Sequence, residues 1–334
     1  MPLSGKNSFY GEQAQRSFVL AVEDIKKEMP GFAFTLIYED SKLEVAEAVS
    51  AFNRLKNIND IDVVITLSSD ISLAVAPLAN QEKVLQMAIT ASTAQYTSLG
   101  DFTFRTTARA EQEDKTLAKA IASKYQKVAL LYNNNERGLG HRNALKQELD
   151  NLGIEIIIEE TLAPQDNDFR TQLVKIKEKN PDVVYLLTEA KNTGLALKQA
   201  KELQIEKPFF ATRSTESEEV LSIAGAAAEA VIYTYSFNPL STEPIIQNFT
   251  KRFQEQYNRL PDYIAAEAYD ALKLVAKAAN QCGADTNCMK ENLLKTKDFL
   301  GACGILTFDE NGDVYYPYTL KTVKNGQFVP LENQ

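Results

Sequence analysis

A single histidine and three cysteines set narrow limits on the chemistry open to this 334-residue chain. A Ser-His-Asp or Cys-His nucleophile system needs an imidazole base, and only His141 could supply it. It lies in Gly138-Leu139-Gly140-His141-Arg142, and no Gly-x-Ser-x-Gly turn offers a serine beside it. We read His141 as a polar surface residue near a helix start. The Gly138-x-Gly140 pair is spaced like the opening of a dinucleotide loop, but Asn143 replaces the third glycine that such a loop requires. Two cysteines and one distant imidazole cannot complete a tetrahedral zinc site, and Asp309 to Asp313 is too short for a calcium loop. The chain is therefore expected to be no enzyme and to carry neither cofactor nor metal.

The remaining polar clusters suit binding better than catalysis. Ser68-Ser69-Asp70 and Ala91-Ser92-Thr93-Ala94 each follow a short apolar run. Small hydroxyl residues there leave backbone N–H groups accessible at helix starts, where a carboxylate can sit. Plain helix capping by Ser69 or Asp70 accounts equally well for the first of them. Cys282 and Cys288, with five residues between them, could close a small disulfide loop suited to an oxidising compartment, or all three thiols could simply be reduced.

These loops need elements to hold them. Short apolar or β-branched runs alternate with amphipathic stretches along most of the chain, the rhythm of βαβ units. Strands are expected at residues 34–38, 63–67, 85–90, 127–132, 154–159, 183–187, 208–211 and 231–235. Several are continuous apolar runs, as in parallel strands covered on both faces. Helices are expected at 10–28, 44–56, 111–123, 140–151, 169–179, 192–203, 243–257, 264–279 and 289–296, with another opening at Ser69. Beyond Gly304 the pattern changes to strands punctuated by Asn311-Gly312 and Asn325-Gly326, an antiparallel addition. A doubly wound α/β architecture follows. Length alone favours two lobes, because single cores stop growing near ~250 residues.

Bulk properties exclude other partners. A net charge of -9, with acids and bases interspersed, offers no basic face to nucleic acid or an anionic membrane. No apolar stretch approaches the ~20 residues that span a bilayer. The opening Met-Pro-Leu-Ser-Gly-Lys has no signal core or cleavage site, and Pro2-Leu3-Ser4-Gly5 reads as a loop whose preceding strand is absent.

In the order of its motifs the chain resembles the type I periplasmic binding proteins, in particular the leucine/isoleucine/valine-binding receptors of ABC transporters. The motifs are Pro2-Leu3-Ser4-Gly5 with Tyr10-Gly11, Tyr38-Glu39-Asp40, Ser68-Ser69, Phe104-Arg105-Thr106, Asp168-Phe169, Ile223-Ala224-Gly225 and Gly304 through Phe308 to Asp313. Each is weak alone, and their order over nearly the whole length is specific. The resemblance implies two Rossmann-like lobes joined by three crossings, residues 1–107 with 236–305 and residues 108–235 with 306–334, closing by hinge motion on a ligand. It implies crossings near 106–109, 235–238 and 304–308, and a first strand upstream of Pro2. It also implies an extracytoplasmic monomer that hands a small molecule to an ABC permease, or else a ligand-sensing receptor module of the same fold.

By the same resemblance, Ser69, Ser92 and Thr93 hold the ligand carboxylate in lobe one, with Phe9 or Tyr10 supplying an aromatic from the first loop. In lobe two the matching positions are Arg137, Glu189 and Arg213. Arg213 stands where amino-acid receptors often carry an acid facing the ligand ammonium. A cation there repels an α-ammonium group unless Glu189 takes that role. Two arginines could instead grip a second carboxylate, or either could face solvent or pair with Glu189, Glu136 or Glu216. The ligand is thus expected to be an amino acid or an organic or aromatic acid.

Overall fold

The structure is a computed structural model describing residues 1–331. In chain order, the first unit opens with α1 (Ser8–Glu28), α2 (Val45–Asn59), β1 (Val63–Leu67), α3 (Ser69–Gln81), β2 (Leu85–Ile89) and β3 (Thr103–Arg105). The second unit follows with α4 (Ala110–Ala122), β4 (Lys127–Asn133), α5 (Glu136–Asn151), β5 (Glu155–Leu162), α6 (Arg170–Lys179), β6 (Val183–Leu187), α7 (Ala190–Glu202), β7 (Phe209–Ala211), α8 (Glu218–Ala224) and β8 (Ile232–Tyr235). The chain returns to the first unit for α9 (Pro244–Tyr257), α10 (Tyr263–Cys282), α11 (Thr286–Leu294), β9 (Phe299–Gly301) and β10 (Gly304–Leu306), then ends in the second with β11 (Thr319–Lys324) and β12 (Gln327–Pro330).

The units comprise residues 1–109 with 237–316 and residues 110–236 with 317–334, so the chain passes between them three times. The third passage lies at 316/317, where the family resemblance implied 304–308. Residues 306–316 stay with the first unit because their side chains are anchored there. Phe308 packs edge-on against Phe104 at 5.4 Å, and Asp313 meets Arg105 at 2.5 Å.

In the second unit the sheet runs β12-β11-β8-β7-β6-β4-β5, parallel throughout β8 to β5. β6 is an unbroken apolar run, Val-Val-Tyr-Leu-Leu, buried along its whole length because helices cover both faces. Its core gathers Leu117 and Ile121 of α4, Leu130 of β4, Leu145 and Leu149 of α5, and Tyr185 of β6. The expected antiparallel addition is present. β11 pairs with β8 and turns into β12 through Asn325 (φ 53°) and Gly326 (φ 70°), two left-handed residues of the kind a tight hairpin needs.

The first unit holds a three-stranded parallel sheet, β1-β2-β3, backed by Phe52, Ile71, Val75 and Val84. The expected strand at 34–38 is not formed. Phe32, Phe34 and Leu36 are half-buried in alternation with exposed Ala33, Thr35 and Ile37, a strand's pattern, yet among the described residues the backbone of 33–38 makes no hydrogen bond. A ladder needs two strands, and among the described residues, 34–38 have no neighbour to pair with. Gly11 earns its place by contact, since a Cβ there would lie 1.7 Å from the Pro2 carbonyl oxygen. The Cys282–Cys288 disulfide is formed, bridging the end of α10 to α11, and Cys303 is a free thiol.

Candidate functional site

In the first unit the loops after β1 and β2 lie side by side. Ser68, at φ 82°, ends β1 and caps α3 through its Oγ, which accepts from Ile71 N–H at 3.5 Å. Its own N–H donates to the Ile89 carbonyl at 3.1 Å and to Thr90 Oγ1 at 3.1 Å, which ties the two loops together. The capping role expected of Ser69 or Asp70 thus falls one residue earlier. Ser69 is fully buried, and its Oγ has no hydrogen-bond partner among the described residues. Ser92 and Thr93 are also buried.

Their loop is clamped from beneath by Arg105, whose Nη1 donates to the Ala91 carbonyl at 2.9 Å and the Thr93 carbonyl at 2.7 Å. Arg105 is itself fully buried and held by Asp313 through Nε at 2.5 Å. On the other side Glu267 of α10 accepts from Thr90 N–H at 2.9 Å and from the Thr107 hydroxyl at 2.5 Å. A paired guanidinium and a carboxylate therefore fix 90–93, and the Ser68 N–H ties the start of that loop to the start of α3. The first N–H groups of a helix lack intrahelical acceptors and favour an anion.

Phe9 and Tyr10 are half-buried and belong to the first turns of α1, not to a loop. Phe9 meets Tyr10 edge-on at 5.9 Å and carries the Arg259 guanidinium over its ring at 5.1 Å. Because α1 begins at Ser8, both rings are carried by the helix start.

In the second unit Arg137, Glu189 and Arg213 all stand at carboxyl ends of strands, where open α/β sheets bind ligands. Arg137 enters α5 after β4, Glu189 is the N-cap of α7 after β6, and Arg213 follows β7. Arg137 Nη1 lies 3.5 Å from Glu189 Oε1, and its Nη2 donates to Thr212 Oγ1 at 3.1 Å. Asn133 Oδ1 accepts from Glu189 N–H at 2.8 Å and so fixes the turn.

Arg213 is 1% exposed and pairs with Glu113 of α4, a residue that sequence reading passed over. Nη1 lies 3.4 Å from Glu113 Oε2 and donates to the Tyr318 hydroxyl at 2.6 Å. Glu113 Oε1 accepts from Arg213 N–H at 2.9 Å and from Thr234 Oγ1 at 2.6 Å. Of the acids expected to pair with either arginine, Glu189 meets Arg137, and Glu216 is engaged by Lys321 and Tyr233. Burial works to raise the Glu113 carboxyl, but the charges of Arg213, His141 and Arg137 and the Thr234 hydroxyl together bring it below its ordinary value.

His141 is not the surface residue that its sequence context suggests. It is fully buried within α5, with Nδ1 2.8 Å from Asp114 Oδ2. Asp114 also accepts from the Tyr185 hydroxyl at 2.8 Å, and burial raises its carboxyl. A signal for both acids was present. Leu117, Ala118 and Ile121 mark the buried stripe of α4, and Glu113 and Asp114 fall on it one turn earlier. Gly138 has a packing role, since a Cβ would lie 1.9 Å from the Asn133 carbonyl oxygen. The glycine pair thus lets α5 start against the end of β4.

Among the described residues no cluster of histidine, cysteine, aspartate and glutamate could hold a metal ion, and no helix is long and apolar enough to cross a membrane. Residues 1–327 match the family described as periplasmic binding protein. The Leu/Ile/Val-binding protein homolog 2 of Brucella abortus (strain 2308) is 26% identical over 333 residues, covering 98% of this chain and 89% of that protein. Among solved structures, the leucine-binding protein LivK of Thermotoga maritima MSB8 superposes with a TM-score of 0.92 at 25% identity, over 99% of this chain and 95% of that one. The branched-chain amino acid substrate-binding protein LivJ of Streptococcus pneumoniae, solved with isoleucine, gives 0.89 at 26%, over 98% and 95%.

Proposed function

This chain belongs to the periplasmic binding protein family, a solute-binding protein and not an enzyme, and from that premise we propose that it captures a zwitterionic amino acid for an ABC importer. The observation that carries the choice of ligand is the charge balance in the second unit. Each guanidinium already faces a carboxylate, Arg213 with Glu113 and Arg137 with Glu189. A second carboxylate on the ligand would find no surplus positive charge, and desolvating it would go uncompensated.

Glu189 is the acid in this set with exposed side chain, 31% against none for Glu113. Its contact with Arg137 is long, at 3.5 Å, so the carboxylate keeps room to accept from an α-ammonium group, while the Asn133 bond to its backbone N–H fixes the turn. Ser69, Ser92 and Thr93 receive the α-carboxylate, helped by the first turn of α3. The solved relative that binds isoleucine supports an aliphatic side chain. The Cys282–Cys288 disulfide fits an oxidising, extracytoplasmic compartment, where the protein would act as a monomer delivering ligand to a membrane permease.

Calorimetric titration of leucine, isoleucine and valine, set against succinate and benzoate, tests the reading. Binding by the amino acids alone, weakened at least ~10-fold in Glu189→Gln, is the expected result. Tight binding of an acid without an ammonium group, with no response to the amino acids, would refute it.

A further inference from the structure

Glu113 is fully buried on α4, and its two carboxylate oxygens are used differently. Oε1 accepts from Arg213 N–H at 2.9 Å and from Thr234 Oγ1 at 2.6 Å. Oε2 has no hydrogen-bond partner among the described residues, and lies 3.4 Å from Arg213 Nη1 and 3.9 Å from His141 Nε2. A glutamine would satisfy the same two donors through its amide oxygen, at a smaller desolvation cost than a carboxylate. What the glutamate adds is one negative charge beside the guanidinium.

Arg213 opens the turn after β7, and that turn is bound into the loops around it. Thr212 Oγ1 accepts from Arg137 Nη2 at 3.1 Å, and the Ser214 hydroxyl donates at 2.7 Å to the carbonyl of Thr188, the residue before Glu189. The Arg213–Glu113 pair thus adjoins the loops after β4, β6 and β7 at the carboxyl end of the sheet, where such sheets hold ligands. A buried ion pair is a weak source of stability, since an apolar pair of similar volume often serves the fold as well. Its effect on a charged ligand is large, because charges held away from water are screened little.

We propose that Glu113 is a specificity-determining residue. Without touching the ligand it cancels the charge of Arg213, and so sets the second unit for an uncharged ligand side chain and against an acidic one. The inference rests on the reading of the ligand as a zwitterionic amino acid. Replacing Glu113 by glutamine moves the local charge by one positive unit while the bonds to Arg213 N–H and Thr234 Oγ1 persist. The altered site then gains from a carboxylate on the ligand side chain. Replacing Arg213 by methionine moves the balance the other way and favours a basic side chain.

Calorimetric titration of isoleucine, glutamate and lysine into the unaltered protein, Glu113→Gln, Arg213→Met and the double variant is the test. The unaltered protein decides the amino-acid reading: isoleucine should bind in preference to glutamate, and the reverse preference refutes that reading whatever the variants do. Glu113→Gln decides the role of Glu113. The expected result is a rise of at least ~10-fold in affinity for glutamate relative to isoleucine, absent from the double variant. An equal fall for both ligands, or an unchanged ratio, overturns the proposal and leaves Glu113 a structural acid. A gain for glutamate that persists in the double variant does not pass through Arg213 and overturns it too. Should Glu113→Gln not fold, Arg213→Met carries the test. A gain of at least ~10-fold for lysine over isoleucine then supports the role of the pair, and an unchanged ratio overturns it.

Discussion

Replacing Ser69 with alanine separates a binding role from a structural one. Its Oγ is fully buried and has no partner among the described residues, so the hydroxyl carries an unmet desolvation cost in the protein without ligand. Removing an unsatisfied buried hydroxyl leaves stability unchanged or improves it by about 1 kcal/mol. If the same hydroxyl donates to a ligand carboxylate, its loss removes a hydrogen bond to a charged group, worth ~1.5–3 kcal/mol, or roughly 10- to 150-fold in Kd. Titration calorimetry with isoleucine, paired with thermal melts of the unliganded protein, reads both quantities on one preparation. A fall in melting temperature with unchanged affinity would mean that Ser69 serves the helix start alone, and the carboxylate reading of this loop would fail.

Three further outcomes follow from the geometry. Arg105→Met leaves Asp313, which is 3% exposed, with only the Thr97 hydroxyl and Arg109, at 3.6 Å, as side-chain contacts among the described residues, and frees the carbonyls of Ala91 and Thr93, so it should cost about 3 kcal/mol in denaturant melts, with part of that returned by adding Asp313→Leu. Burial raises the Asp270 carboxyl to about 7, against the amides of Cys303 and Ala302 that it accepts from. Its folded value lies above the unfolded one, so its protonated form is the favoured one in the fold. Stability should fall as pH rises from 4 to 7, by up to roughly 4 kcal/mol from this group, and Asp270→Asn should flatten that slope in melts across the range. Opening the seven-residue loop with Cys282→Ser and Cys288→Ser should lower stability by about 2 kcal/mol while leaving affinity alone, since the bridge only joins α10 to α11.

The alternation of strands and helices is a local property of the chain, because burial on both faces forces apolar runs such as 183–187 and a single buried stripe forces the helical spacing of α4. The terminal hairpin is local as well, since Asn325-Gly326 tolerates the left-handed backbone that the turn needs. The hydroxyl loops at 68–69 and 92–93 were legible for the same local reason, being short, polar and placed directly after strands.

What the sequence left open were partnerships between residues far apart in the chain. Whether 34–38 becomes a strand depends on a neighbour, not on its own alternating pattern. The sequence offers Arg213 a ligand or three nearby acids as partners, and only the fold brings Glu113, 100 residues earlier, to within 2.9 Å of its backbone N–H. His141 looks like a surface residue until Asp114 meets its ring. Residues 306–316 belong with the first unit because Arg105, 208 residues away from Asp313, needs that carboxylate. In each case a buried charge or a bare backbone edge must find its complement, and only the tertiary fold selects which complement it is.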